Sequence, residues 1–539
     1  MISPQGGSRL GNTSFLGGYL LFNIFFSFWL FFQSRRWFWK IFFVLIIFFL
    51  IFIIFRSGAR AAFLCSLGGI GLLFLLWFSF KTKTRLTRLI GQSLLVLLTI
   101  IVLSGLILVF IPGNFIHDHL EEKFIKARFV NWEIAWKGFL ERPLLGWGPE
   151  NYILVFSKFF HPCLYTSECG GEIWFDRTHN IIFDTLVSMG ILGFLSYLGI
   201  FGILFYILIK KYFREKNIDF WTFSIFSVLL IGYFIQNLTV FDMVSSLVMF
   251  FSVLGFGAVI ATQNGFNIRS NFQDTNTNLK TDQSTNQTST PFWLQIGFLF
   301  VIFYITFLSF VFRPLKSDFL IVQSLNPNLS THQKIELYQK ILKISPLGKY
   351  QIREHFSKRA EESVKLKLNE LMKTTEEKKQ NQLIIEIEKE LDFVINELKK
   401  SEQESPLDYR AINQLTTLYI LYSSIKPEKI YLAEEYVKKA FKLSPQHQNN
   451  YWILAQIRTY QKEFEEALYL SEQAIKLEPR YLPAHLLGLQ IAYHTQNLKK
   501  VEVLTQKAIQ INPEWKETLK KWRQQFEKSL NFSFDESSK

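Results

Sequence analysis

Three arginines and one histidine stand out in the stretch between residues 112 and 180. Arg128, Arg142 and Arg177 are separated by polar and aromatic residues, and His179 follows Arg177 by two positions. A guanidinium group stays charged, and its planar fork binds phosphate oxygens in pairs. An imidazole can accept a proton from a hydroxyl group near neutral pH. The set therefore favours group transfer from a diphosphate ester, in which arginines would stabilise the leaving diphosphate.

Further polar residues surround this set. Arg56 and Arg60 flank the sequence Ser-Gly-Ala at the start of an apolar run, and we count them with the candidate phosphate-binding arginines. Asp176, Asn180 and Glu150 are candidate supporting residues. Each of these residues could also have a purely structural role. The two early arginines could extend to a membrane interface, and Asp176 could cap a helix or pair with an arginine.

The central candidates have such alternatives too. Arg128 and Arg142 could be solvated loop charges, and His179 could be an ordinary residue at the start of a helix. Two carboxylates, Asp184 and Asp242, lie within or beside apolar segments, where a charge is costly and usually functional. They leave a membrane transporter open as an alternative function. A membrane-anchored scaffold without catalysis is a third.

Composition divides the chain into a membrane half and a soluble half. The protein has 539 residues, of which 57 are Phe. Only 38 of the first 312 residues are charged, against 66 of the last 227. Basic residues in the first half lie in short loops between apolar runs, which is typical of membrane topology and speaks against a nucleic-acid partner.

Eight apolar runs are long enough to cross a membrane as helices. They are Phe15–Phe32, Trp37–Phe55, Gly58–Phe80, Leu89–Ile111, Ile181–Ile209, Phe220–Val240, Met243–Ala261 and Phe292–Phe312. Basic loops follow the first, third and fifth runs, so those loops are predicted to be cytoplasmic. Alternation then places the loop 112–178 and everything after residue 312 on the outer, extracytoplasmic side of the membrane. Residues 263–290, rich in Asn, Thr, Gln and Ser, are predicted to form a flexible cytoplasmic linker.

A repeat of constant period marks the second half. Three similar segments end at the equally spaced prolines Pro445, Pro479 and Pro513, and each is preceded by small residues at matching places. Small residues let paired helices approach closely, and Pro ends the second helix of each pair. The pattern and its period resemble the tetratricopeptide repeat, clearest over residues 414–515, within a predicted repeat domain over 318–539. Such α-solenoids bind peptides or partner proteins, so a protein partner is expected.

Cysteine and metal signals are weak. Cys163 and Cys169 share the outer loop and could pair there or remain free thiols, while Cys65 lies in an apolar run. His161 beside Cys163 is too poor a ligand set for a metal site. No Asp-x-Asp signature occurs in the chain. We therefore expect neither a metal nor a cofactor.

The ordered set of short sequences in the first half resembles the O-antigen ligase and polymerase superfamily. The matching elements are Arg56-Ser-Gly-Ala-Arg60, Arg128 with Trp132, Arg142-Pro-Leu-Leu-Gly-Trp-Gly-Pro-Glu-Asn151, and Thr178-His179-Asn180 followed by Met189-Gly-Ile-Leu-Gly193. Together with Ser8-Arg9 they span roughly residues 9–260, so residues 1–262 are predicted to form a polytopic membrane domain that resembles an O-antigen ligase. Members that resemble this chain often add an extracytoplasmic tetratricopeptide domain.

The resemblance implies a polytopic all-α membrane fold, often grouped with the C-type glycosyltransferases. It implies an undecaprenyl-diphosphate-linked glycan as donor, a lipid, glycan or protein hydroxyl as acceptor, and metal-independent transfer with inversion. His179 would correspond to the catalytic histidine, and Arg56 or Arg60 with Arg128 to the arginines that bind the diphosphate. The expected location is the bacterial cytoplasmic (inner) membrane. Family members usually have more membrane helices, and Ser8-Arg9 resembles a mid-chain sequence, so an upstream segment is expected.

Overall fold

The computed structural model describes residues 11–109, 111, 113–120, 126–262, 292–326, 329–344, 347–495 and 498–537. The predicted linker 263–290 and the N-terminal residues 1–10 lie outside this set. The chain divides into two compact units. Unit 1 comprises Met1–Phe156 and Glu168–Thr281, and unit 2 comprises Ser157–Ser167 and Asp282–Lys539. Throughout the described residues the regular structure is helical, with no strand, as the sequence predicted.

Unit 1 contains long apolar helices and several short ones. They are α1 (Thr13–Gln33), α2 (Trp37–Ser57), α3 (Arg60–Lys81), α4 (Arg85–Leu108), α5 (Phe115–Leu120), α6 (Lys126–Glu141), α7 (Tyr152–Lys158, which ends in unit 2), α8 (Ile181–Ile209), α9 (Phe220–Asn237) and α10 (Val244–Thr262). Among the described residues, seven of these helices are long and apolar enough to span a membrane, and an eighth candidate lies in unit 2. The prediction of eight such helices is thus confirmed.

Helix ends differ from the predictions where capping and helix continuity decide them. Helix α4 begins at Arg85, ahead of the predicted Leu89, because Thr84 caps it by accepting from the N–H of Thr87 at 3.3 Å. The eighth helix continues past Phe312. It runs through α11 (Phe292–Phe307), a π-helical turn and α12 (Arg313–Ser324). Pro314 has no N–H to donate to the preceding turn. The π-helical turn lies just before this proline, where the regular hydrogen-bond pattern of the α-helix is interrupted.

The core of unit 1 forms around α9. Tyr233 of this helix packs against Phe22 of α1, with ring centroids 4.9 Å apart, and near Phe250 of α10 at 5.2 Å. Small residues allow the close approach of neighbouring helices. A side chain at Gly17 would lie 2.6 Å from the β-carbon of Ala62. Because lipid supplies no hydrophobic drive between helices, such tight contacts hold the bundle together.

Unit 2 is built from helical hairpins. Its remaining helices are α13 (Thr331–Ile344), α14 (Lys349–Lys373), α15 (Glu377–Glu404), α16 (Tyr409–Ser423), α17 (Ile430–Leu443), α18 (Gln448–Tyr460), α19 (Phe464–Leu477), α20 (Leu482–His494), α21 (Leu498–Ile511) and α22 (Trp515–Ser537). Helices α17, α19 and α21 begin at equal intervals along the chain, and the interval matches the spacing of the repeat prolines. The small residues of the repeat, such as Ala433, Ala467 and Val501, are buried between the hairpins. Ser345 and Pro346, considered as part of an earlier repeat, lie outside the described residues.

Helix α8 is broken at Gly190, which has φ +66° and ψ −170°. The break lies opposite the sequence that follows α6. Backbone hydrogen bonds run from Trp147 N–H to Val187 O (2.9 Å), Gly148 N–H to Ser188 O (2.8 Å), Ile191 N–H to Pro143 O (2.8 Å) and Leu192 N–H to Leu144 O (3.4 Å). We call residues 143–148 and 187–192 the Gly190 interlock. It explains the glycines at positions 146 and 190, because a β-carbon would lie 2.5 Å from the backbone of Ser188 in the first case and 2.2 Å from that of Leu144 in the second.

Replacing Gly190 by Ala is expected to destabilise the protein strongly. The backbone of Gly190 adopts a conformation that only glycine tolerates, and a β-carbon there would lie 2.2 Å from the carbonyl oxygen of Leu144. Strain and overpacking together should cost about 3 kcal/mol. Gly199 in the same helix is the matched control, because a β-carbon there meets nothing within 4 Å. Thermal unfolding in detergent that affected both variants equally would contradict this account.

Candidate functional site

Helix α6 and Tyr152 fix the backbone just ahead of α8. The Asn131 side-chain amide donates to the carbonyl of Arg177 at 3.1 Å, and the Trp132 indole donates to the carbonyl of Thr178 at 3.0 Å. The Tyr152 hydroxyl donates in turn to the carbonyl of Asn131 at 2.9 Å. Asn131, Trp132 and Tyr152 are all buried. Residues 177 and 178 are therefore held by side chains of α6, and Tyr152 of α7 holds one of these, Asn131, in place.

His179 occupies a strained position between two fixed residues. Its φ is +57°, in the left-handed region that histidine and asparagine tolerate better than most residues. Asn180 after it caps α8 by accepting from the N–H of Ile182 at 2.9 Å. The Thr178 hydroxyl before it donates to the carbonyl of Asn180 at 2.8 Å. Strained backbone of this kind concentrates at functional sites, because the surrounding structure must hold it in place.

The surroundings of His179 fix its tautomer and its charge. Nδ1 lies 3.1 Å from the carbonyl oxygen of Arg177. A carbonyl only accepts, so Nδ1 carries the proton and Nε2 holds a lone pair. Within the part of the chain that the structure describes, Nε2 has no hydrogen-bond partner. Burial lowers the pKa of His179, and the nearby charge of Arg128 lowers it further. The imidazole is thus a neutral base near pH 7.

Arg177 is held by carboxylates. Asp184 accepts two close bonds, from Nε of Arg177 at 3.0 Å and from an Nη at 2.6 Å, and Glu150 accepts from the other Nη at 2.6 Å. Burial lowers the pKa of the Arg177 guanidinium, but the bonds and charge of Asp184 outweigh it and raise the pKa overall. The guanidinium also lies 4.7 Å from the ring of Phe241. This network ties the loop that bears His179 to the first turn of α8.

Arg128 is bound less completely. One of its nitrogens donates to the carbonyl of Thr239 at 2.9 Å, the single hydrogen bond that the structure gives this side chain among the described residues. Burial lowers the pKa of Arg128, although the charge of Glu172 opposes this effect. Of the two arginines, Arg128 therefore has more capacity to bind an anion. Its charge also acts on His179, so the two residues share one electrostatic site.

The connection between α9 and α10 supplies the other side of the site. Phe241 lies against His179, with ring centroids 5.2 Å apart. Asp242 accepts from the hydroxyl of Tyr233 and from the side chain of Asn237, the latter at 2.7 Å. Burial raises the pKa of Asp242, although these bonds oppose the rise. These two bonds keep the carboxyl group of Asp242 in place next to Phe241 in the sequence.

The remaining predicted residues lie apart from this network. Arg56 and Arg60 are exposed at the adjoining ends of α2 and α3, and Arg60 lines a cavity of about 400 Å³. Arg142 lies over the ring of Trp147 at 4.0 Å, beside the Gly190 interlock. Asp176 is exposed and acts on His179 through its charge alone, raising the pKa slightly against the larger effects of burial and Arg128. The structure therefore brings together His179, Arg128, Arg177, Glu150 and Asn180.

Sequence reasoning missed several residues of the site. Phe241, Thr239, Asn131 and Tyr152 contact it, yet Phe is so frequent in this chain that Phe241 gave no signal. The sequence marks Asp184 as a carboxylate within or beside an apolar segment, and the structure pairs it with Arg177. The structure also decides between the two alternatives for the outer-loop cysteines.

Cys163 and Cys169 form a disulfide and are not free thiols. Among the described residues, no group of three His, Cys, Asp or Glu residues could hold a metal ion.

Comparison with known proteins bears on the same region. Residues 45–198 match the family model described as O-antigen ligase. No curated protein matches the chain. The matched stretch contains His179, the five predicted arginines and both parts of the Gly190 interlock, but it covers less than a third of the chain. It supports the O-antigen ligase family and, in general, a multi-pass membrane protein that transfers glycans.

Replacing Asp184 by Asn is expected to destabilise unit 1, because the half-buried charge of Arg177 would lose its main partner. The cost should be about 3 kcal/mol, as for other buried ion pairs broken on one side. Unfolding of the lipid-reconstituted protein by SDS would measure it. The matched control is Glu133→Gln, which breaks the exposed pair with Lys137 (2.7 Å) and should cost less than about 1 kcal/mol. Equal losses would show that the Arg177–Asp184 pair is not special.

Proposed function

We propose that this protein transfers a glycan from undecaprenyl diphosphate to a hydroxyl acceptor at the outer face of the bacterial cytoplasmic membrane. The observation that carries the proposal is the neutral imidazole of His179. It is strained into position beside Arg128 and leaves Nε2 available, within a stretch that matches the O-antigen ligase family. A base of lowered pKa next to an anion-binding group suits attack by a hydroxyl on a diphosphate ester.

The reaction proceeds as one displacement. The acceptor hydroxyl gives its proton to Nε2 of His179 as its oxygen forms a bond to the anomeric carbon. The bond between that carbon and the diphosphate oxygen breaks, and its electron pair leaves with the diphosphate. Attack from the opposite face inverts the anomeric configuration. Guanidinium groups stabilise the charge that develops on the leaving oxygen, and no metal is required by this scheme.

Arg128 is assigned to the diphosphate because most of its donors are not engaged by the described residues. Arg177 is assigned a different task from the one expected of it. Its three nitrogens donate to Asp184 and Glu150, so it holds the loop of His179 in place. Arg56, Arg60 and Arg142 remain proposed phosphate-binding residues on the strength of the resemblance.

The apolar part of the donor needs its own surface. A cavity of about 570 Å³ lies between α3, α4 and α9 and is lined almost entirely by apolar and small residues, including Leu64, Gly68 and Gly232. Leu64 also borders the cavity that Arg60 lines. An apolar cavity that shares a lining residue with a second cavity, beside an exposed guanidinium, suits a lipid with a phosphate headgroup. We propose that it receives the polyprenyl chain.

The acceptor and the partners of unit 2 belong to the same proposal. A lipid, another glycan or a protein hydroxyl can serve as acceptor. The repeated hairpins of unit 2 are proposed to be tetratricopeptide repeats on the outer side of the membrane, where they would bind protein. The Cys163–Cys169 disulfide supports the outer location of its loop, since disulfides persist in oxidising compartments.

Replacing His179 by Asn is expected to abolish transfer while leaving the fold intact. Asparagine tolerates the left-handed backbone at this position but offers no basic nitrogen. The loss should reach about a hundredfold or more, as for other general bases. The assay uses protein in lipid, a labelled undecaprenyl-diphosphate glycan and a panel of acceptors, and the acceptor used would define the subclass.

A control separates chemistry from general damage. His119 stacks on Phe115 in the short helix α5, so His119→Ala should transfer as the wild type does. Transfer retained by His179→Asn would refute the assignment of His179. Solute uptake into vesicles without any glycan product would favour a transporter instead.

The pH dependence of transfer should depend on Arg128. Because burial and Arg128 lower the pKa of His179, the acidic limb of the rate should have its midpoint below 6.5, the ordinary value. Removing the positive charge raises that pKa, so Arg128→Gln should move the midpoint to higher pH. Arg128→Lys keeps the charge and should leave the midpoint near that of the wild type, although transfer is slower. If the pH midpoint of Arg128→Gln were equal to that of the wild type or lower, this electrostatic coupling would be contradicted.

A further inference from the structure

The repeats of unit 2 carry an aromatic residue at the same place in successive hairpins. His447, Tyr481 and Trp515 each follow the repeat proline by two positions, so they share the spacing of the repeat. They lie at or next to the first residues of α18, α20 and α22. Tyr409 begins α16 and lies 4.8 Å from His447, ring to ring. We call Tyr409, His447, Tyr481 and Trp515 the aromatic row. One ring per hairpin makes a regular surface along one edge of the unit.

Part of this row is covered by a segment from elsewhere in the chain. Ser157–Ser167 belongs to unit 2, although it lies far before His447 in the sequence. We call it the docked segment. The ring of Phe160 stacks on His447 at 4.2 Å and is completely buried. The ring of Tyr165 packs on Tyr481 at 4.8 Å.

Polar bonds complete the contact and give it a defined register. The Tyr165 hydroxyl lies 3.0 Å from Nδ1 of His447, within hydrogen-bond distance. The Ser444 hydroxyl donates to the carbonyl of Ser157 at 2.5 Å. Burial lowers the pKa of His447 to about 3, so its ring is neutral and can stack without the cost of a buried charge. Two aromatic side chains of one short segment thus fit two successive steps of the aromatic row.

The docked segment lies in the chain between two parts of the candidate site. Directly before it, Tyr152 of α7 supports Asn131, and Phe156 packs on Phe175 with ring centroids 5.8 Å apart. After it, Phe175 packs edge-on against His179 at 5.6 Å. Restraining the docked segment therefore restrains the chain on both sides of it.

We propose that the aromatic row is an internal binding site for the docked segment, and that this binding positions the loop that bears His179. The repeats thus serve the chain's own active-site loop at this surface, and not a separate protein. The positioning role rests on the function proposed above, whereas the binding does not. In this proposal His447 and Tyr481 bind the docked segment and act on His179 only through it. They are therefore positioning residues, which contact no reacting atom.

Hydrogen–deuterium exchange of the full chain in lipid nanodiscs tests the binding without any assay of transfer. In His447→Ala, amides of residues 157–167 should exchange at least tenfold faster than in the wild type. Phe441→Ala is the matched control, because Phe441 lies close to His447 in the sequence and its ring packs on Tyr451 of α18 at 4.7 Å. It should leave exchange of the docked segment unchanged. Wild-type rates in His447→Ala would overturn the proposal.

A reciprocal variant guards against simple unfolding of the repeats. Phe160→Ala changes the docked segment alone and should speed exchange at residues 444–451, while helices α20 and α21 keep their protection. Unchanged exchange at 444–451 would also overturn the binding. Glycan transfer then tests positioning: His447→Ala should lower kcat at least fivefold with the donor KM unchanged. Faster exchange with full kcat would refute positioning and leave binding in place, and a wild type without transfer would refute the proposed function alone.

Discussion

The break in α8 at Gly190 releases backbone groups in a helix that is apolar enough to cross a membrane, where each unpaired group is expensive. The Gly190 interlock meets this requirement by pairing both sides of the break with the sequence after α6. The pairing fixes the first turns of α8 against residues 143–148. Asn180 and Asp184, which lie on those turns, then define where the preceding loop can run. The position of His179 consequently depends on the backbone hydrogen bonds between α8 and the sequence that follows α6.

The electrostatics of the site follow from an unequal distribution of carboxylates. Arg177 has two of them and acts as a structural cation, while Arg128 has a backbone carbonyl and keeps its charge available. Burial is the main cause of the lowered pKa of His179, and the charge of Arg128 adds to it. One residue can therefore both attract an anion and favour the neutral form of the neighbouring base. Asp242, in the connection between α9 and α10, adds a half-buried carboxyl group that accepts from Asn237.

The sequence predicted the helices well and the site only in part. Runs of apolar residues are a local signal, so the predicted span Ile181–Ile209 coincides with α8, and regularly spaced prolines located the hairpins. His179 and Arg128 carried recognisable chemistry. Phe241 did not, because its role depends on a contact with a residue far earlier in the chain, which no local pattern encodes. The docked segment was missed for the same reason, since its partners lie beyond the membrane helices and the predicted linker.

The docked segment is synthesised well before the surface that binds it. Tyr165 and His447 are 282 positions apart in the chain, so at about 5–20 residues per second the ribosome needs roughly 14–56 s to complete the partner surface. During that interval the aromatic segment has no row to bind. The Cys163–Cys169 disulfide closes a short loop and can form long before, which restrains the waiting segment. The repeats and the segment must then lie in the same compartment, so misplacement of the last third of the chain would first affect a loop that was synthesised much earlier.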